Sequence, residues 1–73
     1  MKLKTEDGQE VKIGDRVYNY YDMKPGVIEG PVREMPDPWF DVKHDDGTVS
    51  ILNGQRICSM EYAVRRGFPG AEL

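Results

Sequence analysis

His44 stands next to Asp45, the one place in this chain where an imidazole base adjoins a carboxylate, and Ser50, Cys58 and Ser59 follow as hydroxyl or thiol nucleophiles. Covalent catalysis would need one of these held against the histidine in a cleft, and no motif brings any of them there. Asp37, Asp41, Asp45 and Asp46 suggest a hard-cation site, but a calcium loop wants carboxylates at alternate positions around a fixed glycine. Their spacing fails that test, and Asp46-Gly47 is accounted for by a hairpin turn. With a single Cys58 and a single His44, the usual Cys/His metal sites and an internal disulfide are both excluded. The expectation is a chain that is not an enzyme and holds no cofactor or metal, with Cys58 packed as a small apolar residue.

The residues that could recognise a partner are aromatic. Trp39 opens an alternating stretch in which it shares a face with Asp41 and Lys43, while Phe40, Val42 and His44 take the other. A tryptophan on a polar face suits a binding anchor, being large, rigid and amphipathic; packing over one end of the fold would explain it too. Tyr18, Tyr20 and Tyr21 cannot all point one way from a strand, so at least one is expected at the surface, where it suits a peptide, a cation or a stacked base. Tyr20, Tyr21, Trp39, Asp41 and Asp45 are therefore the candidate protein-binding residues. Arg16, Lys24, Arg33, Arg65 and Arg66 are the candidate phosphate contacts. Ten bases against thirteen acids give a net charge of −3, and the bases form no stripe, which counts against nucleic acid as the principal partner.

These residues need a scaffold, and 73 residues suffice for one small domain. Short β segments recur between strong turn signals. Residues 2–5 and 10–13 flank Glu6-Asp7-Gly8, a hairpin signal because glycine accepts the positive φ of tight turns. Gly14-Asp15 bends the chain into a strand from Arg16 to Tyr21, and Lys24-Pro25-Gly26 is expected to turn it into Val27-Ile28-Glu29. Pro31, Pro36 and Pro38 predict an irregular loop over 30–38, since proline cannot donate to a sheet ladder. Trp39–His44 and Thr48–Leu52 form a hairpin about Asp45-Asp46-Gly47, with Val49 and Ile51 expected inward. Gln55–Cys58 reads as a short final strand. Met60–Arg66 is a two-turn helix: Ser59 suits the N-cap, Glu61 the first turn, Arg65 and Arg66 the last turn, and Gly67 the C′ position. Tyr62 or Val64 is expected to face the sheet, and the tail at 68–73 to fray. No apolar run approaches the roughly 20 residues of a membrane span, and the first residues lack the apolar core of a secretory signal, so a cytoplasmic setting without membrane contact is expected.

Strands this short and regularly punctuated imply a mainly β fold, a small closed sheet of about five strands with one short C-terminal helix. Gly14-Asp15-Arg16-Val17-Tyr18, Gly26-Val27-Ile28, Phe40-Asp41-Val42-Lys43-His44-Asp45-Asp46-Gly47-Thr48 and Asn53-Gly54-Gln55-Arg56-Ile57 together resemble SH3-like barrels of the Tudor and KOW types over residues 11–58. Tudor domains bind methylated arginine or lysine in an aromatic cage. That resemblance would put Tyr20 and Tyr21 on one cage wall, and His44-Asp45-Asp46 where the other wall expects an aromatic. KOW domains bind RNA or proteins of the ribosome and transcription machinery. The leading expectation is a non-catalytic module that holds a segment of another protein through an aromatic and acidic surface. A KOW-like nucleic-acid-associated module is the main alternative. A third is an accessory protein of a phage or mobile element that blocks a host factor, a reading that rests on small size and acidity.

Overall fold

A computed structural model describes residues 3–34 and 37–73. Its elements in chain order are β1 (Leu3–Lys4), β2 (Glu10–Val11), β3 (Arg16–Asn19), β4 (Lys24–Arg33), β5 (Trp39–His44), β6 (Val49–Asn53), a 3₁₀ turn (Gly54–Arg56), β7 (Ile57–Cys58) and α1 (Met60–Arg66). The fold is mainly β: a strongly curled, five-stranded antiparallel half-barrel with one short C-terminal helix, as the alternating segments require. The strand order is β6-β5-β4-β3-β7, and β1 pairs with β2 in a separate small hairpin. Asp22, in the turn after β3, accepts from the Ser50 hydroxyl of β6 at 3.0 Å, a contact that shows how far the sheet curls.

Two apolar clusters lie on opposite faces of β3 and β7, because side chains alternate along a strand. Val17, Ile28, Phe40, Val42, Leu52 and Ile57 fill the concave face, closed by Leu3 from the small hairpin. Tyr18 and Cys58, one register position away, form the second cluster with Met60 and Ala63 of α1. Burial on both faces explains why β3 reads as a run of β-formers.

The helix occupies the span the sequence predicts. The Ser59 hydroxyl accepts from the Tyr62 amide at 3.1 Å, Glu61 and the two arginines complement the dipole, and Gly67 closes the end in the left-handed region at φ 71°. Such a cap contributes about 1 kcal/mol. Met60 and Ala63 are the buried helix residues; Tyr62 is half-buried and Val64 exposed. The tail beyond the helix, expected to fray, is held at several points. Phe68 stacks on Tyr18 with ring centroids 5.4 Å apart, the Tyr18 hydroxyl donates to the Pro69 carbonyl at 2.6 Å, and Ala71 packs against the second cluster.

Three local expectations are corrected. First, β3 ends at Asn19, not Tyr21, and the turn spans 20–23 instead of centring on Pro25. The reason is the Asn19 side chain: its Oδ1 accepts from the Tyr21 and Asp22 amides at 3.0 and 3.1 Å and draws the backbone out of the ladder. Pro25 sits inside β4 opposite Tyr18. Its carbonyl accepts from the Asp45 amide at 3.0 Å just past the end of β5, so its missing N–H leaves only half of the last rung unmade. Second, the proline loop is shorter than expected, because β4 continues through Pro31 to Arg33. The register shifts between Glu29 and Arg33, and an irregularity of that kind frees Pro31 from any ladder bond. Pro36, the middle proline of the expected loop, lies outside the described residues.

Third, the β6 alternation is inverted. Leu52 pairs with Phe40 and Ser50 with Val42, so they share the inward side, while Val49 and Ile51 pair with Lys43 and Asp41 on the outer side. Ile51 is 55% exposed and Val49 53%. Alternation within a strand fixes which residues share a face; only the register of the neighbouring strand says which face is the core.

Candidate functional site

His44 is 3% exposed and lies at the end of β5 beside Asn19, which is fully buried. With Asn19 Oδ1 occupied by two amides, its Nδ2 is left to donate, reaching His44 Nε2 at 2.9 Å and Asp22 Oδ2 at 2.9 Å. Nε2 therefore accepts, and the ring proton belongs on Nδ1, which faces the Thr48 carbonyl at 3.0 Å. Both ring nitrogens are occupied internally. The pairing of His44 with Asp45 that adjacency suggests is not made, for Asp45 takes both guanidinium nitrogens of Arg16 at 3.0 Å. This cluster fixes the β3–β4 and β5–β6 turns against each other.

The candidate bases are mostly engaged. Arg16 pairs with Asp45, Lys24 with Asp46 at 2.9 Å, and Arg33 with Asp41 at 3.1 Å. The Arg16 guanidinium holds the Asp45 carboxyl below its ordinary range, and the Thr48 hydroxyl and amide, with Lys24, hold Asp46 far below it. These pairs lie along β3, β4 and β5, and Arg33 alone is in register with Trp39. Arg65 and Arg66 are exposed at the end of α1.

The candidate protein-binding residues fall in separate places. Trp39 and Asp41 share the outer face of β5, with Ile51 and Asn53 opposite them on β6. Asp45 lies beyond the other end of β5, about 20 Å along the strand from Trp39 at roughly 3.3 Å per residue. Tyr21 is 64% exposed, with the Arg56 guanidinium 4.2 Å from its ring centroid. Tyr20 turns the other way, into a groove. The first surface is thus the outer face of β5 and β6, where half-buried Trp39 and exposed Ile51 and Val49 lie next to a sheet edge: among the described residues β6 has no second strand neighbour.

The second surface was not foreseen as a unit. Glu6, Asp7, Tyr20, Cys58, Tyr62 and Phe68 line a groove of about 430 Å³. This volume falls within the roughly 300–1,000 Å³ of small-ligand sites. The space arises outside the half-barrel, where the β1–β2 hairpin, β7, α1 and the tail meet. Its hairpin wall is fixed by Asp7, which accepts from the Thr5 hydroxyl at 2.7 Å, the Ser59 amide at 2.9 Å and the Ser59 hydroxyl at 2.6 Å. Burial pushes the Asp7 carboxyl up, but those hydrogen bonds outweigh it and hold the group below its usual range, hence charged at neutral pH. The Tyr20 hydroxyl donates to the Gln55 carbonyl; burial and the nearby Glu6 charge push its ionisation up, so it stays a neutral donor. Burial, with Asp7 nearby, pushes the Cys58 thiol up to about 11, which makes it an uncharged floor and a poor nucleophile. The aromatic residues and the Asp-Gly turn were legible in the sequence; nothing there signalled that residues 6, 20, 62 and 68 would meet.

Among the described residues no group of His, Cys, Asp and Glu has the arrangement of a metal site, and no helix is long and apolar enough to cross a membrane. No protein-family model, curated protein or solved structure matches this chain.

Proposed function

We propose that this domain is a small non-catalytic binding module, an SH3-like half-barrel that holds an extended segment of another protein along β6. The observation that carries this reading is the coincidence of an open sheet edge with exposed Ile51, Val49 and half-buried Trp39 on the adjoining outer face. An added strand would draw affinity from backbone hydrogen bonds at the edge and specificity from side chains that meet these three residues. The Tudor- and KOW-type resemblances concern the scaffold. Tyr21 stacks on Arg56 and His44 is buried, so the cage positions inferred by resemblance do not converge on one ligand.

Internal pairing of Arg16, Lys24 and Arg33 with aspartates supports a protein partner over nucleic acid, because phosphates would first have to displace those carboxylates. The test has two arms. Affinity capture with the wild-type domain is expected to retain a partner that Ile51→Lys and Trp39→Ala both lose. Short single- and double-stranded nucleic acids at low salt are expected to leave the amide NMR spectrum unmoved. Salt-sensitive shifts centred on Trp39 and Arg33 would reverse the order in favour of the KOW-like reading.

A further inference from the structure

The groove between the β1–β2 hairpin and α1 has a chemistry that the β6 surface lacks. Tyr20, Tyr62 and Phe68 give it aromatic walls, Glu6 and Asp7 give it carboxylates, and Cys58 gives it a neutral floor. Among the described residues no basic side chain forms an ion pair with Glu6 or Asp7. Ring faces attract cations through their quadrupole, and a carboxylate beside them adds direct charge attraction. Together they make a site for a soft organic cation.

A contact at one groove tyrosine narrows the choice of cation. The Arg66 guanidinium lies over the Tyr62 ring, 5.7 Å from its centroid. Arg66 does not itself line the groove, whose charged lining residues are Glu6 and Asp7. The contact pairs a planar guanidinium with a tyrosine. That geometry is less suited to lysine, whose ammonium is compact, strongly hydrated and unable to stack.

We propose that the groove lined by Glu6, Asp7, Tyr20, Tyr62 and Phe68 binds an arginine side chain of a partner polypeptide, its guanidinium against the aromatic rings and paired with Glu6. Glu6 is the free acid here, since Asp7 is already hydrogen-bonded to Thr5 and Ser59. The groove lies beside β7, at the opposite end of the strand order from β6, so this site stands or falls separately from the edge-binding surface.

The experiment is a titration of the isotope-labelled full chain with capped Gly-Arg-Gly and, in parallel, capped Gly-Lys-Gly, followed by amide NMR. Gly-Arg-Gly is expected to give saturable shifts at Glu6, Tyr20, Cys58, Tyr62 and Phe68, and to bind at least about three-fold more tightly than Gly-Lys-Gly. Glu6→Gln and Tyr62→Leu, each expected to keep a native-like spectrum, should each weaken Gly-Arg-Gly about five-fold or more. Glu6 is exposed, so at least that variant folds without repacking. Absence of saturable shifts in the groove overturns the proposal, as does equal binding of both peptides or an affinity that neither variant changes.

Discussion

The outer face of β5 and β6 and the groove beside β7 solve opposite problems. On the outer face Asp41 is neutralised by Arg33, while Ile51 and Val49 stay apolar and uncovered. In the groove the aromatic side chains are half-buried and packed, with Phe68 meeting Tyr18 and Tyr62, while Glu6 forms no ion pair among the described residues. One surface offers uncovered apolar area beside a paired aspartate; the other offers packed rings beside an acid with no ion pair among the described residues. A partner that adds a strand suits the first, and a cationic side chain suits the second. Only the second depends on the docked N-terminal hairpin.

That dependence gives the largest expected effect. The backbone of Gly54 lies so close to β1 that a Cβ there would collide with the Lys4 carbonyl. Gly54→Ala is expected to cost about 2 kcal/mol or more, as overpacking against backbone does, and to disturb amide shifts at Glu6 and Asp7 far more than at Asp41 or Val49. Chemical denaturation together with an NMR shift map checks both parts. Equal disturbance of the two surfaces would dissolve the contrast between them.

A smaller effect is expected at the bond that ties the hairpin to the helix. Asp7→Ala removes the acceptor of the Ser59 amide and hydroxyl, both on a buried residue, and should cost about 1–2 kcal/mol at neutral pH, discounted because the carboxylate itself is exposed. The Asp7 carboxyl lies below its ordinary value of 3.8 in the folded chain. A group depressed by folding contributes its full stability above the unfolded value and loses it as pH falls through the folded one. The gap between wild type and Asp7→Ala should therefore be widest at neutral pH and close below about pH 4. Unfolding curves at neutral and acid pH would show it, and a gap independent of pH would mean that packing, not charge, joins hairpin to helix.

The outer face should barely register in the isolated domain. Ile51→Thr is expected to change stability by no more than about 0.5 kcal/mol, as exposed substitutions do, while still weakening capture of the partner. A thermal melt of the free domain separates the two roles, and a large loss would assign Ile51 to the core. Smallest of all is the Arg33–Asp41 pair: a double-mutant cycle should give a coupling of about 0.5 kcal/mol or less, because Arg33 is half exposed.

Much of the scaffold was legible because its signals are local. Ser59, Glu61, Arg65, Arg66 and Gly67 fix a helix by chemistry within a few residues, and Asp46-Gly47 fixes a hairpin in the same way. The alternation from Trp39 to His44 put Phe40, Val42 and His44 on one face, and that face is the buried one. Local signals failed where a distant strand or a side chain decided. Pro25 and Pro31 read as breaks, but one lies where β5 has ended and the other where the register shifts. Tyr20 and Tyr21 read as strand until the Asn19 side chain is seen to accept from the Tyr21 and Asp22 amides and turn the chain.

By itself, then, the sequence determined a mainly β domain with one capped helix, a single cysteine and a single histidine, and a scattered set of charges, since each of these follows from residue type and short spacing. Only the tertiary structure decided that Ile51 and Val49 face outward, that Arg16, Lys24 and Arg33 are matched by aspartates, and that residues 6, 20, 62 and 68 enclose one groove. Each of those outcomes depends on register or on the meeting of segments far apart in the chain, and neither is encoded in any window a few residues wide.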